Sequence, residues 1–402
     1  MTLLFRNARV LTLGDAAAPR RGDALGDPHA IDNCDVLIED ATITAVGSGL
    51  DAPPGARVIE ANGRVLMPSF IDCHTHACWA GDRLDEWELK QRGATYLEIL
   101  ESGGGIMSTV RAVRAASEDE LFERLLVRLG WMAREGVGAV EVKSGYGLTT
   151  ADELKMLRAI VRAAAAWNGG VIPTACIGHA IDRDQDDFVS RTIAETLPAV
   201  TAEFPGIAID AYCEQGAWSR DDCVRLFEAA MNAGHPVRVH ADQFNSLGMI
   251  PAALHMGAHS VDHLEATKPD ELRALGESGT FGVMLPCSGF HVDGRYGNGR
   301  AFVDAGGALC IATNCNPGSA PCSSMPMAIA LAVRNLGLTA GEAIAACTVN
   351  AAALLGVDAV GSIRPGNRAD VALLRWSDER QLGYEFGGNP VDVAVLGGEI
   401  VG

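Results

Sequence analysis

At 402 residues, 48% of them hydrophobic, the chain can bury one large core and a smaller companion unit. A formal charge of −19 excludes non-specific binding to nucleic acid or anionic membranes, though one local arginine could still hold an anionic substrate. The eleven cysteines fall singly with no CxxC pair, which excludes a zinc ribbon and suits a reducing cytoplasm.

The start, Met1-Thr2-Leu3-Leu4-Phe5-Arg6-Asn7, lacks the long apolar stretch of a secretory leader. No apolar run reaches the about 20 residues of a membrane-spanning helix. Strand-like segments follow at Val36–Ile38, Ile43–Val46 and Arg57–Ile59, separated by Gly, Pro and Asp turns. The far end repeats this texture at Ala369–Leu374 and Val391–Val395, which predicts one small β-sandwich built from residues 1–66 and 357–402.

Between them, residues 67–356 alternate apolar runs with helical patterns. The runs are 65–73, 137–142, 171–177, 207–213, 236–240, 258–263, 280–285 and 308–313. Helical periodicity covers Glu118–Arg134, Asp152–Ala166, Asp187–Glu203, Arg220–Ala233 and Pro269–Glu277. The alternation predicts parallel βαβ units, and eight of them predict a TIM barrel with its chemistry at the C-terminal strand ends. A doubly wound sheet is disfavoured because no GxGxxG follows the first strand.

Strand one ends in Asp72-Cys73-His74-Thr75-His76, where i, i+2 spacing aims both imidazoles at one face. His179 closes strand three, His240 strand five and His263 strand six. Five histidines at four strand ends point to a metal site more than to packing. His29, His235 and His255 fall in loops or helices, and His291 reads as an exposed loop residue.

Several longer motifs share a source. They are Gly93-Ala94-Thr95-Tyr96, Ser102-Gly103-Gly104-Gly105-Ile106, Glu141-Val142-Lys143-Ser144-Gly145-Tyr146-Gly147, His240-Ala241-Asp242-Gln243 and Asn316-Pro317-Gly318-Ser319. With Asp72–His76 they resemble the amidohydrolase superfamily and, within it, the imidazolonepropionases, over nearly the whole chain. The resemblance implies one divalent metal ion, zinc or iron, on His74, His76, His240 and position 314. It implies Arg83 for a substrate carboxylate, and Tyr96, Tyr146, His179 and Gln243 around the imidazolone ring. Asn316, Gly318 and Ser319 would bind the product end, and His263 would relay the proton of the attacking water. The implied reaction opens the cyclic amide of 4-imidazolone-5-propanoate to N-formimino-L-glutamate, in histidine degradation. A cytoplasmic homodimer with a small anionic heterocyclic substrate, and with neither nucleic acid nor membrane as partner, completes the expectation.

The chain departs from this pattern at position 314, where the family has Asp and this chain has Asn314. An amide offers an oxygen but neither a negative charge nor a proton-accepting carboxylate. Weak metal binding and little turnover are therefore expected, with Asn314, Gln243 and His263 as the catalytic set. Leu285–His291 and Gly178–Asp182 also depart from the family's loops. Two alternatives stay open: an amidohydrolase or deaminase acting on another nitrogen heterocycle, and a catalytically silent binder. Arg83 discriminates the first, since a neutral ring needs no cation.

Overall fold

The computed structural model describes residues 1–14, 19–94 and 104–401. Strands β1 (Thr2–Leu11), β2 (Ala30–Glu39), β3 (Thr42–Gly47), β4 (Arg57–Glu60) and β5 (Val65–Pro68) open the chain. The barrel strands are β6 (Phe70–Asp72), β7 (Val137–Lys143), β8 (Gly170–Gly178), β9 (Ala208–Cys213), β10 (Val237–Ala241), β11 (Ser260–His263), β12 (Phe281–Met284) and β13 (Leu309–Ile311). Three more, β14 (Val371–Leu374), β15 (Val391–Leu396) and β16 (Glu399–Val401), close it.

Both chain ends share one eight-stranded sheet, ordered β16-β15-β14-β5-β1-β2-β3 with β4 beside β1. The two ends meet where β5 runs antiparallel to β14, Leu66 opposite Leu373. Alternation along β1 and β2 sends Leu3, Phe5, Val36 and Ile38 into this sheet's own core, with Leu66, Val371 and Val395. The apolar run 65–73, read as one strand, is two. Val65–Pro68 joins the small sheet, and only Phe70–Asp72 enters the barrel. Pro68 has no N–H to extend a ladder, so the chain changes sheets at Ser69.

The second sheet, β13 through β6 in sequence order, is parallel throughout. It closes just beyond the strands. Asn314 N donates to His74 O at 3.1 Å and His76 N donates to Cys315 O at 3.0 Å, around a Thr75–Cys315 bridge. The first and last strands are thus stitched together by the residues expected to do the chemistry. The expected (β/α)8 barrel with a small sandwich domain is the fold.

Glu118–Arg134 is helical as expected, with Ser117 capping the Glu120 N–H and Leu121, Leu125, Leu129 and Met132 facing the core. Asp187–Glu203 is not one helix but two α segments, Phe188–Arg191 and Leu197–Glu203, joined by a π turn over Thr192–Thr196. Pro198 is the cause: it lacks the N–H and its ring crowds the carbonyl one turn back. Two elements on the active face were not anticipated. Leu84–Gln91 forms a helix with no buried residue, and Pro286–Val292 forms a second helix where a loop was expected. They meet through a stack of Trp87 on His291, 4.5 Å between ring centroids. His291 is thus half-buried in a helix, because a neighbouring indole covers it. No helix among the described residues is long and apolar enough to cross a membrane.

Candidate active site and metal centre

Beneath the barrel mouth lies a buried ionic layer that sets the histidines. On β7 and β10 the pairs Glu141/Lys143 and Arg238/His240 are spaced i, i+2, so all four side chains point inward. Lys143 Nζ donates to Asp210 at 2.6 Å and to Glu141 at 2.9 Å. Arg238 lies 2.6 Å from Glu141 and 2.8 Å from Asp262. Burial and Arg238 oppose the charge on Lys143, yet Asp210, Glu141 and Asp262 hold its pKa above the usual lysine value. Burial alone would raise Asp210, but His240 and Lys143 hold it well below the carboxylate range.

Two of these carboxylates anchor imidazoles. Asp262 takes the Nδ1 proton of His74 at 2.6 Å, and Asp210 that of His240 at 2.9 Å. Both rings therefore turn Nε2 toward the mouth, the arrangement carboxylates impose on metal-binding histidines. Desolvation drives His74, His76 and His240 below the usual histidine value, keeping them neutral as ligation requires.

The donor set fits a metal ion. His74 Nε2, His76 Nδ1 and Asn314 Oδ1 are buried without a hydrogen-bond partner, and such orphans are costly unless something fills the site. His76 Nε2 faces His240 Nε2 at 3.0 Å. Among the described residues two trios of donor atoms lie within 4.8 Å of one another, His74, His240 and His263, and Cys176, Asp210 and His240, and neither includes the expected His76. His263 is held through Nδ1 by Glu265 at 3.2 Å, leaving Nε2 toward the cluster. His263 and Asn314 adopt left-handed backbone, φ 92° and 57°, at strand ends. Such conformations persist where surrounding structure enforces them, which is typical of functional turns.

Several of the expected pocket residues lie near this centre. His179 stacks on His76 with centroids 4.5 Å apart, and Tyr146 lies 5.1 Å from His179. Burial pushes His179 down to about 3, so it is neutral, and Gly145 O accepts its Nδ1 proton at 2.9 Å. A Cβ at Gly145 would sit 2.8 Å from that nitrogen, and φ of 116° also demands glycine. Gln243 Oε1 accepts from Tyr212 OH at 2.7 Å and its Nε2 donates to Ser288 Oγ at 3.4 Å, leaving the second amide N–H as a donor. Arg83 reaches the rim beside Gly318, where an added Cβ would be 3.2 Å from Nη1. Asn316 is spent on its own loop, accepting from Gly318 N and Ser319 N at 2.8 and 2.7 Å. Tyr96 lies outside the described residues.

Sequence reasoning assigned no role to Asp210, Tyr212, Lys143, Arg238, Asp262 or Glu153. Glu153 accepts from Gly145 N, Gly147 N and Leu148 N at 2.8–2.9 Å and so shapes the Tyr146 loop. A usable signal existed for the five others: polar residues two apart inside apolar strand runs.

A parallel barrel with histidines from four strand ends around one polar mouth defines the amidohydrolase class, and the amidohydrolase family model matches residues 86–393. Imidazolonepropionases are similar along almost their full length. That of Herpetosiphon aurantiacus is 44% identical, covering 96% of this chain and 93% of its own. That of Deinococcus radiodurans is 42% identical, covering 94% and 95%. The chain belongs to the imidazolonepropionase family and is a hydrolase of C–N bonds. Among solved structures, a triazine hydrolase variant aligns with a TM-score of 0.77 over 99% of this chain and 94% of its own at 18% identity, which shows the fold alone.

Proposed function

We propose that this site hydrolyses the cyclic amide of 4-imidazolone-5-propanoate to N-formimino-L-glutamate. The observation that carries the reading is Arg83, a guanidinium only 11% exposed, paired along one edge with Glu86 and turning Nη1 toward Gly318 at the rim of the aromatic pocket. It suits a ring bearing an acid chain, because a planar fork binds carboxylate in parallel N–H bonds.

His74, His76, His240 and Asn314 would hold one zinc or iron ion, which when bound supplies Lewis acidity and a lowered water pKa. The chain's own groups do the rest. Tyr146 and His179 confine the ring, and the free N–H of Gln243 is placed to donate to the lactam carbonyl as negative charge develops there. His263, its Nδ1 proton engaged by Glu265, offers Nε2 to the proton of the attacking water. That proton then passes to the departing ring nitrogen, so the acyl carbon gains hydroxyl and the nitrogen gains hydrogen. The family likeness supports a cytoplasmic homodimer, which sedimentation velocity on the metal-loaded protein would test.

With metal-loaded protein carrying Asn314→Asp, Arg83→Met should lower kcat/KM for imidazolonepropanoate about 100-fold, mostly through KM, the scale of a lost charge-assisted pair. Steady-state kinetics with product identified by mass spectrometry checks this. An unchanged kcat/KM would move the assignment to a neutral heterocycle.

A further inference from the structure

We propose that Glu86 is the positioning residue of the carboxylate subsite, fixing which edge of Arg83 meets the substrate. This rests on the acid substrate proposed above. Arg83 precedes the helix Leu84–Gln91, and Glu86 stands one turn along it. The two lock side-on: Arg83 Nε donates to Oε2 at 2.6 Å and Nη2 to Oε1 at 2.5 Å. Oε2 also accepts from Gly105 N at 2.8 Å, just before the helix Ile106–Ala115. Glu86 therefore joins the arginine to a second wall of the site.

A guanidinium has five N–H donors on two usable edges. The pair with Glu86 consumes the Nε–Nη2 edge and leaves the Nη1 end with one long donation, to Thr109. That end is 3.5 Å from the buried Thr109 Oγ1 and lies against Gly318. A carboxylate entering between Thr109 and Gly318 thus meets a fork that can neither rotate nor offer its other edge. Because Glu86 already neutralises Arg83, the incoming acid is held by directed hydrogen bonds rather than by surplus charge. Such a site reads where the carboxylate sits, and so reads the length of the chain joining it to the ring.

The test uses the metal-loaded full chain and two stable acids, imidazole-4-propanoate and imidazole-4-acetate, titrated by calorimetry. The unmodified protein should favour the longer acid, and Glu86→Gln should shrink the ratio of the two Kd values about tenfold, the scale of a misplaced binding group. Glu86→Asp keeps the charge but shortens the reach, and should lose discrimination as well. In the Asn314→Asp background, E86Q should raise KM about tenfold with kcat within about twofold. Wild-type discrimination in either Glu86 variant, at equal thermal midpoint and metal content, overturns the proposal. Arg83→Met separates the two levels. If it leaves acid binding intact, the acid-substrate reading fails; if it abolishes binding while E86Q changes nothing, only the role of Glu86 fails.

Discussion

Asn314→Asp should raise turnover of 4-imidazolone-5-propanoate about 100-fold or more at matched metal content, and tighten metal binding about tenfold. In the ionic layer beneath the site Glu141, Asp210 and Asp262 outnumber Lys143 and Arg238 by one negative charge, and burial keeps His74, His76 and His240 neutral. An amide at 314 adds no charge against a divalent ion, whereas a carboxylate there would place a negative charge directly on it. That carboxylate would also accept a proton, and a positioned acid–base group contributes about 10²–10⁴ in rate. The swap isolates charge from geometry, because the backbone at 314 is left-handed (φ 57°) and both Asn and Asp tolerate that conformation. Single-turnover rates with metal quantified on each protein decide the matter. Equal kcat in the two forms would show that the amide suffices.

Lys143→Met should cost about 3–5 kcal/mol of stability, the range for stripping one partner from a buried ion pair. Lys143 is wholly buried and its ammonium bonds both Glu141 and Asp210, so the variant strands two carboxylates in the barrel interior. The bare count of ion pairs would not predict this, since exposed pairs such as Arg92–Glu88 contribute about 0–1 kcal/mol. Adding Asp210→Asn should recover part of the loss by removing one stranded charge. Thermal melts of the three proteins measure it. A Lys143→Met midpoint equal to the parent's would show that water or protonation replaces the lysine at no cost.

The barrel was legible because its signal is repetitive. Each of the eight apolar runs overlaps a barrel strand, and Glu118–Arg134 matches its helix to the residue. The histidines were legible because His74, His76, His179, His240 and His263 each stand where an apolar run ends. What escaped were features set by tertiary partners. Pro68 and Ser69 divide a continuous apolar run because β14 offers Val371 as the antiparallel partner of Pro68. The helix Leu84–Gln91 buries none of its residues, so no apolar stripe announced it. The ionic layer hid in plain view, because Lys143 and Asp210 look like strand interruptions until the barrel closes them onto one another.

That closure also carries a consequence for assembly. His74 comes from the first barrel strand and Asn314 from beyond the last, yet they share a backbone hydrogen bond. The coordination set is split across nearly the whole barrel sequence and exists only once the circle is complete. A chain cut before β13 would hold all of the histidines without the seam that closes the barrel around them. The complete set of donors, Asn314 included, is therefore a property of the finished circle and not of any part of it.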